Sequence, residues 1–203
     1  VSDGREGKEA IGYMKAYVNM DVATLNVGSQ PLANNAHVKY PDAFGMVSLN
    51  DLKTYSVDYA IANEVNAKNV DFKFYCFGAS GSPRLYSMDN TGKDGEFSGS
   101  TGKLSAIKVK NLTRFAILSN FDYENATVAS ISSEILSSSI AQSLLDPIAV
   151  GNVIAFRTGG SSAAGGGRIG VMKVINITEP KELVSNNATA RVMTVEIKFP
   201  KKK

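Results

Sequence analysis

Arg191-Val192-Met193-Thr194-Val195-Glu196-Ile197-Lys198-Phe199 places Met193, Val195, Ile197 and Phe199 on one face of an extended chain, and Val192, Thr194, Glu196 and Lys198 on the other. Side chains along a strand alternate between faces, so a period of two with one apolar side predicts a half-buried strand. Asn152–Thr158 and Arg168–Ile177 upstream are also strand-like, rich in Val, Ile and Phe, with Gly159–Gly167 between them. The stretch from Ile148 to Phe199 therefore reads as three consecutive strands, the first two joined by a flexible, glycine-rich hairpin tip.

Working toward the N-terminus, Thr127–Leu145 carries apolar residues at helical spacing and is expected as a helix stopped by Asp146-Pro147. Lys103–Lys110 and Arg114–Ser119 are short strand candidates, and Gly78–Gly102 is a long polar stretch with little expected regular structure. Val70–Phe77 is a strand with Phe72, Phe74 and Cys76 inward and Asp71, Lys73 and Tyr75 outward. Ser56–Lys68 shifts to a four-residue period through Val57, Ile61 and Val65, with Ser56 as N-cap and Asp58 in the first turn. Phe44–Leu49 is a further strand, residues 26–43 an irregular arm, and Gly12–Asp21 an alternating strand. Strands and helices do not alternate one to one. The fold class is therefore α+β, a mainly antiparallel sheet with two helices packed on it, in a single domain over 1–203 with a flexible lead at 1–9 and a basic tail at 200–203.

A chain of 203 residues with 43% hydrophobic content can bury about 70% of its unfolded surface and needs no staples. Its net charge of +3 comes from Lys201, Lys202 and Lys203; the remainder balances 19 basic against 19 acidic residues. Without a broad basic face, a nucleic-acid partner is not expected. Cys76 is the one cysteine; it excludes an intrachain disulfide and reads as a small buried hydrophobe. No apolar run is long enough for a membrane span.

The motifs that carry chemistry fail on inspection. Gly165-Gly166-Gly167-Arg168-Ile169-Gly170 matches G-x-G-x-x-G, but a strand follows it instead of the helix whose N-terminus would hold a pyrophosphate. Gly102-Lys103 lacks both the upstream glycine and the following Ser or Thr of a P-loop. His37 stands alone, and one His with one Cys is too few for a zinc site. Neither catalytic residues, a metal nor a cofactor is expected. Binding residues are sought where aromatic and polar groups share a segment: Arg84, Tyr86 and Asp89 in the long loop after Phe77, and Tyr13 and Tyr17 on the polar face of the first strand.

Asp51–Ala60 and Val70–Tyr75, then Asn111–Phe115 and Val150–Thr158, then Gly170–Val174 and Met193–Lys198, follow an order that resembles uncharacterised cell-surface lipoproteins of gut Bacteroidetes. In those proteins a G-D-V-I-A-F-K-T strand and a G-L-I-K-V strand close the domain. This chain departs at Asn152 and in its longer glycine-rich tip. The resemblance implies an exported protein, at the cell surface or in the periplasm, tethered by a lipid on a removed N-terminal segment. The expected function is non-enzymatic binding of a glycan or a surface protein. The alternative is a hydrolase of surface polysaccharide using loop carboxylates such as Asp89 and Glu96.

Overall fold

The computed structural model describes residues 19–136 and 139–202 and contains two five-stranded antiparallel sheets with short helices on their outer faces. The α+β, antiparallel architecture expected from the sequence is present, with its strands divided between two sheets. The strands are β1 (Met20–Gly28), β2 (Met46–Ser48), β3 (Lys53–Tyr55), β4 (Phe72–Phe77), β5 (Ser82–Ser87), β6 (Arg114–Leu118), β7 (Leu144–Leu145), β8 (Val153–Arg157), β9 (Ile169–Ile177) and β10 (Val192–Pro200). The helices are α1 (Val57–Ala62), α2 (Glu64–Lys68) and α3 (Val128–Glu134). One sheet has the order β1-β10-β9-β8-β6, the other β3-β2-β4-β5-β7.

The three strands expected at the end of the chain are present, and they sit together at the centre of the first sheet. The main core lies between the sheets: Leu25, Val27, Phe115, Ile154, Phe156, Met172, Val195, Ile197 and Phe199 from the first meet Val47, Phe72, Phe74, Cys76, Leu85 and Leu145 from the second. A second apolar layer covers the outer face of the second sheet, where Met46, Tyr75, Tyr86 and Met88 pack against Val57, Ala60, Ala67, Phe97 and Leu104. A third covers the first sheet, with Ala155 and Val171 beneath Tyr123, Ile131 and Ile140.

Those outer layers explain several departures from the sequence reading. Asp71, Lys73 and Tyr75, expected to face water, are buried, as are Val192 and Lys198 on β10. The two buried ammonium groups each find a partner, as burial demands, whereas Asp71 Oδ1 accepts no hydrogen bond among the described residues. Lys73 Nζ meets Asp94 Oδ1 at 2.6 Å, and Lys198 Nζ donates to the Tyr123 carbonyl at 2.6 Å.

The long loop after Phe77 is more ordered than expected. It begins with a β4–β5 hairpin and continues through a 3-10 turn at Asp94–Glu96. Lys103–Lys110, expected as a strand, contains a 3-10 turn at Leu104–Ala106. The helix expected over Thr127–Leu145 ends at Glu134, and Leu144–Leu145 joins the second sheet as β7. Serines that compete for backbone hydrogen bonds disfavour its continuation. Ser56 caps α1 as predicted, but Asn63 adopts an extended conformation and caps α2, so one helix becomes two and Val65 turns outward. β1 begins where the expected Gly12–Asp21 strand ends and runs into the segment expected as an irregular arm; residues 12–18 lie outside those described.

The glycine-rich tip is anchored rather than flexible. Ala163 N–H donates to the Lys68 carbonyl at 2.9 Å, Ala164 enters the main core, and Ser161 donates to Asn111 Oδ1 at 2.7 Å. Asn111 Nδ2 in turn donates to the carbonyls of Lys68 and Val70, both at 2.8 Å. The tip thereby closes one end of the space between the sheets.

Candidate functional site

The residues singled out in the long loop occupy structural positions. Arg84 lies on β5, paired to Asp146 at 2.8 Å and stacked 4.1 Å over the Phe77 ring. Tyr86 is buried edge-on against Tyr75, ring centroids 5.6 Å apart. Asp89 receives two bonds from the Arg114 guanidinium, at 2.9 and 2.8 Å. Burial raises the Asp89 carboxyl, but Arg114 and the Ser87 hydroxyl outweigh it and hold the group below its ordinary value. Glu96 is likewise held low by Lys93 at 2.8 Å and by the Tyr75 hydroxyl. The three loop residues thus belong to separate contacts, and each loop carboxylate has an internal cation or donor as partner. Tyr13 and Tyr17 lie outside the described residues.

A surface of the sought chemistry occurs at the β2–β3 turn instead. The chain passes from β3 into α1 at Ser56, whose hydroxyl accepts the Tyr59 N–H at 3.2 Å. That cap sets residues four apart side by side, and the Tyr55 and Tyr59 rings stack with centroids 3.9 Å apart and planes 13° apart. Tyr55 Oη donates to Asp51 Oδ2 at 2.6 Å. Asn50 Nδ2 donates to Asp51 Oδ1 at 2.8 Å, and Asn69 Nδ2 reaches both Asp51 Oδ2, at 2.5 Å, and Tyr59 Oη, at 3.0 Å. Ser48 fixes Asn69 from below, its hydroxyl donating to Oδ1 at 3.2 Å.

Asn69 is buried and acts as the pin; Asn50 and Asp51 are exposed and the two tyrosines partly so. Burial raises the Asp51 carboxyl, but the Tyr55 hydroxyl and the Asn69 and Asn50 amides together hold it below its ordinary value. Burial and the same carboxylate push the Tyr55 hydroxyl up. The result is a pre-organised surface of two aromatic rings beside a charged acceptor and amide groups. Aromatic faces attract C–H-bearing surfaces, and fixed polar groups at their edge orient a hydroxylated ligand. The signal available in the sequence is the pair Tyr55 and Tyr59 flanking an N-cap serine, with Asn50-Asp51 just upstream.

Among the described residues no group of three or more His, Cys, Asp or Glu is placed to hold a metal ion, and no helix is long and apolar enough to cross a membrane. No family model matches the sequence, and no curated protein matches it. The fold is similar to the crystal structure of a DUF4466 family protein from Parabacteroides merdae, with a TM-score of 0.56 and 14% identity, covering 94% of this chain and 56% of that one. At that identity the likeness is one of fold. The chain thus spans little more than half the length of this neighbour, which comes from the gut Bacteroidetes, the group to which the sequence resemblance points.

Proposed function

We propose that this protein is a non-enzymatic, exported cell-surface binding protein, tethered by a lipid in its precursor, and that it binds a glycan through the Tyr55–Tyr59 surface. The observation that carries the reading is the stacked tyrosine pair with Asp51, Asn50 and Asn69 fixed at its edge. A glycan array followed by titration of the strongest hit tests it. Tyr55→Ala and Tyr59→Ala are expected to weaken that hit at least about tenfold, the loss of one ring–sugar contact, with an unchanged circular dichroism spectrum. Saturable binding unaffected by either variant, or capture of a protein ligand with no glycan hit, overturns the assignment. Shortening of the bound glycan during incubation overturns the non-enzymatic reading. Palmitate labelling of the precursor in its host checks the tether.

A further inference from the structure

We propose that the cleft enclosed by the glycine-rich tip, helix α3 and the chain after β10 binds a phosphomonoester that carries an apolar body. The proposal is independent of the glycan surface. The glycine tip and the terminal lysines lie far apart in sequence, and each alone reads as structural; the fold brings them to one cleft of about 660 Å³. That volume is in the range that holds a small organic ligand. Val128 and Ile169 supply the apolar surface, with the buried Ile131 behind them and Ser132 beside Val128, and Gly165, Gly166, Gly167 and Arg168 line the cleft with Lys201 and Lys202.

The cations of this cleft have different tasks. Arg168 is committed to the frame: Nη1 donates to the Ala164 carbonyl at 2.6 Å, Nη2 to the Pro200 carbonyl, and the guanidinium stacks 4.0 Å from the Phe199 ring centroid. It ties the tip to the end of β10 and fixes the shape of the cleft. Lys201 is partly neutralised by Asp21, 3.6 Å away. Lys202 Nζ lies 3.9 Å from where a Cβ on Gly165 would stand, and it has no ion-pair or hydrogen-bond partner among the described residues. Positive φ at Gly165 (+93°) and Gly167 (+75°) keeps that wall free of side chains. The Gly166 N–H, which makes no hydrogen bond among the described residues, is left as a donor. An uncompensated ammonium and a bare backbone donor beside an apolar wall match a charged head on an apolar body.

The test is a titration of 15N-labelled protein with hexyl phosphate, hexanol and inorganic phosphate at low salt. Hexyl phosphate is expected to shift the Gly165, Gly166 and Gly167 amide resonances saturably, with hexanol and inorganic phosphate each binding at least about tenfold more weakly. Lys202→Ala, on an exposed residue that leaves the fold intact, is expected to weaken hexyl phosphate about fivefold, the worth of one exposed charge contact. Equal binding of hexanol, shifts confined to other residues, or unchanged affinity in Lys202→Ala overturns the proposal. Co-sedimentation with phosphatidic acid vesicles in addition assigns the phosphate to a lipid headgroup; binding of hexyl phosphate without co-sedimentation assigns it to a soluble phosphomonoester.

Discussion

Lys73 sits on the outer face of β4 with its ammonium fully enclosed, 2.6 Å from Asp94 and 3.0 Å from the Asn90 carbonyl, and 5.9 Å from the Tyr86 and Phe97 ring centroids. Removing one partner of such a pair strands a buried charge. Lys73→Met is therefore expected to cost about 3–5 kcal/mol, and Lys73→Met with Asp94→Leu much less; urea denaturation of both checks this. Asp71, one residue upstream of β4, is buried without a cation. Its Oδ2 accepts the Leu49 N–H at 2.8 Å. Burial pushes its carboxyl up to about 6, against the pull of Ser162 and the Leu49 N–H, and Asp51 adds to the rise. A carboxyl raised in the folded state binds its proton more tightly there than when unfolded. Its contribution is thus complete below the unfolded value of 3.8 and is lost as pH rises through about 6. The stability of the wild type relative to Asp71→Asn is expected to fall by on the order of 3 kcal/mol between those limits. Denaturant midpoints of both proteins at intervals from pH 3.5 to 7.5 measure it, and a flat difference contradicts the assignment.

At the scale of elements, Gly170 shows what the dinucleotide-like pattern is for. It opens β9 opposite Phe156, and a Cβ there would stand 2.4 Å from Phe156 Cζ and 2.7 Å from Phe199 Cδ2. The glycine admits two packed rings, and Gly170→Ala is expected to cost about 1–3 kcal/mol by overpacking, read as a lowered thermal midpoint. Asp58 does comparable work between elements. Its carboxylate accepts the backbone N–H groups of Ser100, at 2.9 Å, and Thr101, at 2.8 Å, together with both hydroxyls. Asp58→Ala is expected to free the 98–103 turn from α1, so its amides exchange faster while those of β4 do not. The closing strands are legible in sequence because β8 and β9 are rich in Val, Ile and other strand formers and β10 alternates cleanly over nine residues. β5 is not, since Pro83 and its flanking serines carry turn signals although the strand lies between β4 and β7. Lys73 and Lys198 mislead because alternation shows which residues share a face, not whether a further layer covers it. The Tyr55–Tyr59 pair escapes notice because stacking depends on the Ser56 turn, which residue type alone does not announce.

For the whole molecule, the decisive fact is that neither sheet owns its core. Phe72 on the second sheet meets Phe115 on the first edge-on, centroids 5.7 Å apart, within the layer both sheets share. Asn111, fully buried before β6, bonds the carbonyls of Lys68 and Val70, where the chain passes from α2 toward β4, and holds the glycine tip that follows β8. Separating the sheets would expose this entire layer at about 25 cal/mol per Å² and leave the Asn111 amide unpaired. Independent unfolding of either sheet is thereby disfavoured, and the chain is expected to unfold in one cooperative step. Phe156→Ala, centred in the first sheet, is expected to cost about 3–5 kcal/mol. Because the core is shared, the slowest-exchanging amides of β4 and β10 should lose the same opening free energy. Native-state hydrogen exchange under increasing denaturant measures both strands at once. Convergence of the two on one global value, lowered equally by the variant, is the expected result; β10 responding while β4 does not would divide the molecule into two folding units.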